Sequence, residues 1–216
     1  GMKLSEMLDP PASADFVDPE ESMPLAMGRD YGPYQRRRNQ IIRKGRRWFK
    51  NLCKKWRSEP WIPEMKLGDT EFKFMDGRSV EFGNTSVRFS KPVFHGVEYD
   101  RLGWVSSTVV EYGGVKLIHT SDVQGAVIED YADWIIRENP NILFTDGPPT
   151  YLFGYVINRL NFNRTTENAC RIIREEDKAE LIIYDHHLMR DPLFKKRIPK
   201  VYKIAEANQK RVMSAA

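Results

Sequence analysis

The residues able to do chemistry are few, and they gather where apolar runs stop. In Leu181-Ile-Ile-Tyr-Asp-His-His-Leu-Met-Arg-Asp191, a strand-forming run ends abruptly in Asp185, His186 and His187. Such a run reads as a buried strand whose carboxyl end opens into a site, the place where ligands sit in open α/β sheets. A plain turn with a satisfied His pair is the alternative. The chain has 4 histidines, and two are adjacent here. Two other blocks repeat the pattern: Lys91-Pro-Val-Phe-His95-Gly96, and His119-Thr-Ser-Asp122-Val-Gln-Gly125. Neutral imidazole and carboxylate are the donors that Zn, Mn or Fe take, with an open position for water. Each block alone is a weak signal. Together they predict that His95, Asp122 and His186 converge on a metal, with His187 as rival to His186. Asp185, Asp146 and His119 read as supporting residues. His119 follows apolar residues and suits a core or supporting position. Asp146 precedes Gly147-Pro148-Pro149, a turn that could hold a cis proline or aim a ligating histidine.

Those blocks need elements to position them. Glu71-Phe-Lys-Phe-Met75 and Arg78-Ser-Val-Glu-Phe82 alternate around Asp76-Gly77, a strong hairpin signal. Gly83-Asn84 predicts the next turn, into a strand over 86–90. Residues 102–110 and 115–119 flank Glu111-Tyr-Gly-Gly114 as another hairpin. The rhythm then changes to helix over 126–137, strand over 141–145, helix over 166–176 and strand over 181–184. Residues 193–211 read as mostly helical, with Pro199 breaking or beginning a segment. Hairpins followed by strand–helix alternation predict an α/β fold, a mixed sheet with helices on one face.

Charge is distributed unevenly. Residues 1–30 carry seven acids against Lys3 and Arg29, and four prolines, so 1–33 reads as an irregular acidic arm with little core of its own. Residues 34–57 hold eleven Lys or Arg and no acid. Ile41, Ile42, Trp48, Phe49, Leu52, Cys53 and Trp56 fall on one helical face there. Gly45 within that pattern implies a kink or close packing. Arg36, Arg37, Arg38, Arg46 and Arg47 are candidates for nucleic-acid phosphates. The plainer reading is a solvated face above a buried aromatic stripe.

With 216 residues, 41% hydrophobic and 30% charged, the chain suits a soluble globular domain with a real core. No apolar run approaches the ~18 residues that would span a bilayer, and no signal-peptide pattern opens the chain, so no membrane partner and a cytoplasmic location are expected. Cys53 and Cys170 lie far apart and read as reduced packing residues.

Ser121-Asp-Val-Gln-Gly125, Asp146-Gly-Pro-Pro-Thr-Tyr-Leu152 and Asp185-His-His-Leu-Met-Arg-Asp191, in this order, resemble an uncharacterised archaeal branch of the metallo-β-lactamase-fold hydrolases. Phe89-Ser-Lys-Pro-Val-Phe-His-Gly96 and Gln35-Arg-Arg-Arg38 fit the same branch. The resemblance covers roughly residues 34–200. It implies an αββα sandwich with one or two Zn (or Mn/Fe) ions between two sheets. On it, His95 resembles the single-His ligand, Asp122 the carboxylate that bridges two metals, and His186 or His187 the final ligand. The family's His-x-His-x-Asp-His signature is absent, since no histidine precedes residue 95. The chain therefore resembles the C-terminal part of the fold: an arm over 1–33, then a partial domain over 34–216, either a fragment or degenerate in metal binding. The function implied is metal-dependent hydrolysis of a small-molecule or phosphodiester substrate. Without the first sheet, the apolar face of strands such as 115–119 would lie open. Homo-oligomerisation, a partner, or the arm would then cover it. The DHH phosphoesterases resemble the chain only at 185–187. A non-catalytic nucleic-acid-binding or assembly module using the basic helix is the reading from another class.

Overall fold

A computed structural model of the chain describes residues 16–215. Its centre is a seven-stranded sheet in the order β11-β10-β9-β8-β7-β4-β3. The strands are β3 (Ser79–Phe82), β4 (Thr85–Phe89), β7 (Thr108–Tyr112), β8 (Val115–His119), β9 (Ile142–Thr145), β10 (Leu181–Tyr184) and β11 (Arg211–Ser214). The strands from β3 to β8 pair antiparallel, as the tight turns at Gly83-Asn84 and Gly113-Gly114 require. From β8 to β11 the pairing is parallel, because helices carry the chain back between these strands. Two small antiparallel pairs stand apart: β1 (Met65–Leu67) with β2 (Thr70–Phe72), and β5 (Val93–Phe94) with β6 (Trp104–Val105).

The α/β expectation therefore holds, with one mistaken hairpin. Asp76-Gly77 does make a turn, with the Arg78 amide donating to the Met75 carbonyl at 2.9 Å. The strands on either side of it nevertheless pair elsewhere. Residues 70–72 pair with 65–67 around Gly68-Asp69, and 79–82 pair with 85–88. Both arms had a tight turn on their other side, and those turns won. β11 begins at Arg211, where the stretch expected to be mostly helical ends. Only α6 (Phe194–Arg197) and α7 (Pro199–Ala207) form there, the second beginning at Pro199.

One face of the sheet is packed. α3 (Glu129–Glu138), α4 (Arg159–Glu175) and α7 lie side by side over it. Beneath them Ile182, Leu143, Ile118 and Val109, aligned across four strands, are 0–1% exposed. The alternate residues face the other way. Leu181, Ile142, Leu117, Val110, Val87 and Val80 form one aligned row across six strands. None of the six is buried. The next row contains Met213, Ile183, Phe144 and His119. A strand's side chains alternate between faces, so this apolar face is open among the described residues.

The arm is more ordered than its composition suggests. Within 16–34, Met23, Ala26 and Tyr31 are buried. α1 (Pro24–Gly28) docks on α3, where the Asp130 carboxylate accepts the Leu25 and Ala26 amides at 2.9 Å each. The described arm thus serves the helical side and leaves the open face uncovered; residues 1–15 lie outside the described residues. The basic segment is α2 (Gln35–Ser58), with Ile42, Phe49 and Cys53 buried. A Cβ on Gly45 would lie 2.5 Å from Tyr99, so the glycine serves close packing. Cys53 and Cys170 are free and buried, as expected.

Two expectations follow for stability. Ile118→Ala, in the packed row, should cost about 2–5 kcal/mol in urea unfolding, and Leu117→Ala, in the open row, should cost under about 1 kcal/mol. Equal losses would mean that the open face is covered. The second concerns Glu176, which caps α4 while only 1% exposed, with neither carboxylate oxygen hydrogen-bonded. Burial pushes its carboxyl up to about 8. A raised acid keeps its proton in the folded chain after the unfolded chain has lost it. Its contribution is therefore full below the ordinary glutamate range and is lost as pH rises toward about 8. Glu176→Gln should flatten that decline, and unfolding curves at pH 5 and pH 8.5 measure it.

Candidate metal centre

The carboxyl ends of three parallel strands meet at one edge of the sheet. β8 runs into the loop carrying Asp122, β9 into Asp146, and β10 into Asp185, His186 and His187, the last two starting the one-turn helix α5 (His186–Met189). His95 arrives from the end of β5, where its amide donates to the Gly103 carbonyl at 3.0 Å.

One donor atom from each of His95, Asp122 and His187 lies within 4.8 Å of the others. His95 Nε2 is 3.3 Å from Asp122 Oδ2, and His187 Nε2 is 3.9 Å from the same oxygen. Convergence of a His, an Asp and a His is thus observed, but His187 replaces His186 as the third member. His186 meets the other oxygen, Asp122 Oδ1, at 3.2 Å. The Asp122 carboxylate therefore has one oxygen toward His95 and His187 and the other toward His186.

The supporting residues separate just as clearly. Asp146, 1% exposed, accepts the Gln124 and Gly125 amides at 2.5 and 2.9 Å. It also lies 3.0 Å from His187 Nδ1. With Nδ1–H donating there, Nε2 is left as a bare lone pair facing Asp122 and His95. Burial pushes the Asp146 carboxyl up, while His187 and the two amides pull it back. For His187, burial works against the charged ring, but the hydrogen bond and charge of Asp146 prevail and hold it above the ordinary imidazole value. Asp185 Oδ1 lies 2.7 Å from His186 Nδ1, an ion-pair distance between chain neighbours without hydrogen-bond geometry. His119 is not a core residue. Its side chain is 49% exposed on the open face, with Nε2 3.7 Å from Asp185 Oδ2. The turn after Asp146 holds no cis proline, since every described peptide bond is trans.

The loop carrying Asp122 is strained. Ser121, Gln124 and Ala126 adopt φ of 58°, 51° and 53°, conformations that cost a non-glycine residue roughly 1 kcal/mol or more each. Gly125 is obligatory, because a Cβ would lie 2.5 Å from Thr165 Oγ1 and 2.6 Å from the Pro148 nitrogen. A buried network anchors the His95 side. Glu98 receives Arg164 at 2.7 Å and Arg38 at 2.9 Å, and Arg164 also holds Glu129 at 2.6 Å. Arg38 is thereby taken out of any phosphate-binding set, and Arg46 pairs with Glu20. Arg36, Arg37 and Arg47 remain exposed.

Two rim residues were not singled out from the sequence. Arg190 donates to the Tyr151 hydroxyl at 2.9 Å, and the Tyr151 ring lies 6.2 Å from that of His187. Both stand inside the motif blocks already noted, and their position in those blocks was the available signal. A cavity of about 600 Å³ lies elsewhere, between α3, the residues after β4 and the arm. It adjoins the Asp122 loop only through Thr120 and Val123. Its lining is largely apolar, so the donor cluster is the better candidate for chemistry.

No protein-family model matches the chain. It is similar to archaeal proteins called UPF0282. That of Methanocaldococcus jannaschii, MJ1629, is 40% identical over 150 residues, covering 69% of this chain and 50% of the relative. That of Methanopyrus kandleri, MK0213, is 36% identical over 132 residues, 61% of this chain and 44% of the relative. That of Sulfolobus acidocaldarius is 30% identical over 169 residues, 78% and 54%. The chain spans about half the length of the curated relatives it matches.

The geometry specifies a tautomer. Two-bond ¹H–¹⁵N spectra at a pH where the ring is neutral should show the His187 proton on Nδ1, and Asp146→Ala should release that preference. A proton on Nε2 in the unaltered chain would contradict the arrangement.

Proposed function

We propose that this chain carries the metal-binding edge of a metal-dependent hydrolase of the metallo-β-lactamase superfamily. The observation supporting this most is the cluster of His95, Asp122 and His187 at three strand ends, with His187 aimed by Asp146. Two imidazoles and a carboxylate are a suitable donor set for zinc, manganese or iron, and tetrahedral zinc leaves a fourth position. His95 Nε2 faces Asp122 Oδ2 at 3.3 Å, which makes it the donor atom of that ring.

In this reading His95 and His187 each donate Nε2, and Asp122 joins their side to that of His186 through its two oxygens. A second ion would sit toward His186. Bound metal supplies a water acidified toward neutrality. His186, about half exposed and with Nε2 3.2 Å from Asp122 Oδ1, would help hold that second ion. Arg190 faces negative charge developing on the substrate. The open apolar face suits the second sheet of an αββα sandwich, with aligned inner faces ~10 Å apart. A partner layer, or a second copy of the chain as a homo-oligomer, covers the face in this reading.

Calorimetric titration of the metal-stripped chain with Zn²⁺ or Mn²⁺ tests this. The chain should bind at least one ion. His187→Ala and His95→Ala should weaken the tightest site more than His186→Ala does, and Asp146→Asn should weaken it about 10–100-fold. With metal present, bis-p-nitrophenyl phosphate, an ester or a lactone should be hydrolysed, and Asp122→Asn should abolish the reaction. Metal binding unaffected by the Asp122→Asn/His187→Ala double substitution would sink the proposal.

A further inference from the structure

α2 is a rigid rod with two unlike sides. Its apolar side is fixed: Trp48 stacks on Trp104 with centroids 5.8 Å apart and planes 9° from parallel, and Phe49 and Trp56 also meet Trp104. Trp104 belongs to β6, which pairs with β5, the strand that ends just before His95. The helix is thus bolted to the hairpin from which a metal-ligand candidate projects.

Its other side is a line of cations. Arg36, Arg43, Arg47, Lys50 and Lys54 recur at spacings of seven, four, three and four, which is one helical stripe, with Arg37, Lys44 and Lys55 beside it. All eight are exposed. None has a carboxylate partner among the described residues, whereas cations of other elements, such as Arg29, Arg88, Arg164 and Arg171, are paired. The net charge of +4 with eleven cations in this helix leaves the rest of the chain at −7. Charge is therefore concentrated along one edge and opposed elsewhere. At 1.5 Å per residue the stripe is about 27 Å long, the axial length over which one strand of a duplex presents about eight phosphates.

We infer that the exposed stripe of α2 binds a nucleic-acid backbone and holds a phosphodiester substrate for the site beside His95. A membrane surface fits less well. Interfacial helices insert an apolar face, and that face of α2, with Trp48, Phe49 and Trp56, is already packed against Trp104 and Tyr99. Four of the eight cations are arginines, whose planar fork suits phosphate. Backbone binding stands independently of the hydrolase reading; delivery to the site rests on it.

The test is fluorescence anisotropy with a labelled 20-base-pair DNA duplex, in a metal chelator, across 50–200 mM KCl. Engagement of about five phosphates predicts a log–log slope near −4.5, a loss of roughly 500-fold over that range. Arg43→Gln/Arg47→Gln/Lys50→Gln should reduce the slope by about 2.7 with an unchanged circular dichroism spectrum. Lys196→Gln/Lys200→Gln/Lys203→Gln, an equal charge loss on exposed positions elsewhere, should leave it unchanged. The inference is overturned by no binding at 50 mM salt, by equal effects of the two triple variants, or by tighter binding to phosphatidylserine vesicles than to the duplex. Because the titration omits metal, intact binding with no cleavage after Mn²⁺ is restored would count against the hydrolase reading alone.

Discussion

The site depends on one buried carboxylate. Asp146 stands at the end of β9 and reaches the loops on both sides of it. It receives two amides of the loop after β8 and the ring of His187 after β10. A fully buried carboxylate is costly unless its oxygens are hydrogen-bonded. The three partners offset that cost, and in doing so they position each other. The strained loop around Asp122 is held where it would not rest alone, and His187 is held with one nitrogen bare. The same carboxylate thus places a ligand candidate on one side and sets the chemistry of another.

His95 is placed by different means, since its hairpin lies outside the large sheet. Arg164, 2% exposed at its side chain, gathers Glu98 from the His95 segment and Glu129 from α3, while Arg38 of α2 and Arg29 of the arm complete the charges. Buried ion pairs of this sort add little net stability against an apolar core, but losing one partner is expensive because a charge is stranded. Their effect here is positional: four segments remote in sequence meet around one guanidinium. The Tyr31 ring lies against Arg38 and Arg164, at 4.3 and 5.1 Å, which explains why an arm with so many acids and prolines still contributes to the core.

The two faces of the sheet have opposite fates with nearly the same residue types. Ile118 and Leu117 are neighbours in β8, yet one is sealed under helices and the other lies in an open row. His119, in the next row of the same face, lies 3.7 Å from Asp185, so the open face runs up to the donor cluster. Whatever lies on that face also borders the chemistry.

Much of this was legible from local patterns. Alternation and Gly-rich turns located β3, β4, β7 and β8, and the period of Ile42, Phe49 and Cys53 located α2, because these signals arise from each segment's own geometry. The identity of the donor candidates was legible too, since an apolar run ending in Asp or His is a local feature. Other matters were settled by contacts between distant segments. Asp76-Gly77 competes with turns on both sides, and only pairing across the sheet chooses between them. His186 and His187 are adjacent and chemically alike; the direction in which the first turn of α5 leaves β10 sends one to Asp146 and the other to Asp185. Arg38 and Arg47 lie on one basic helix, but Glu98, sixty residues from Arg38, takes the first and leaves the second to solvent. Sequence alone determined which residues could bind or carry charge. Tertiary structure decided which of them share a point in space, because burial and pairing belong to the surroundings of a side chain and not to its type.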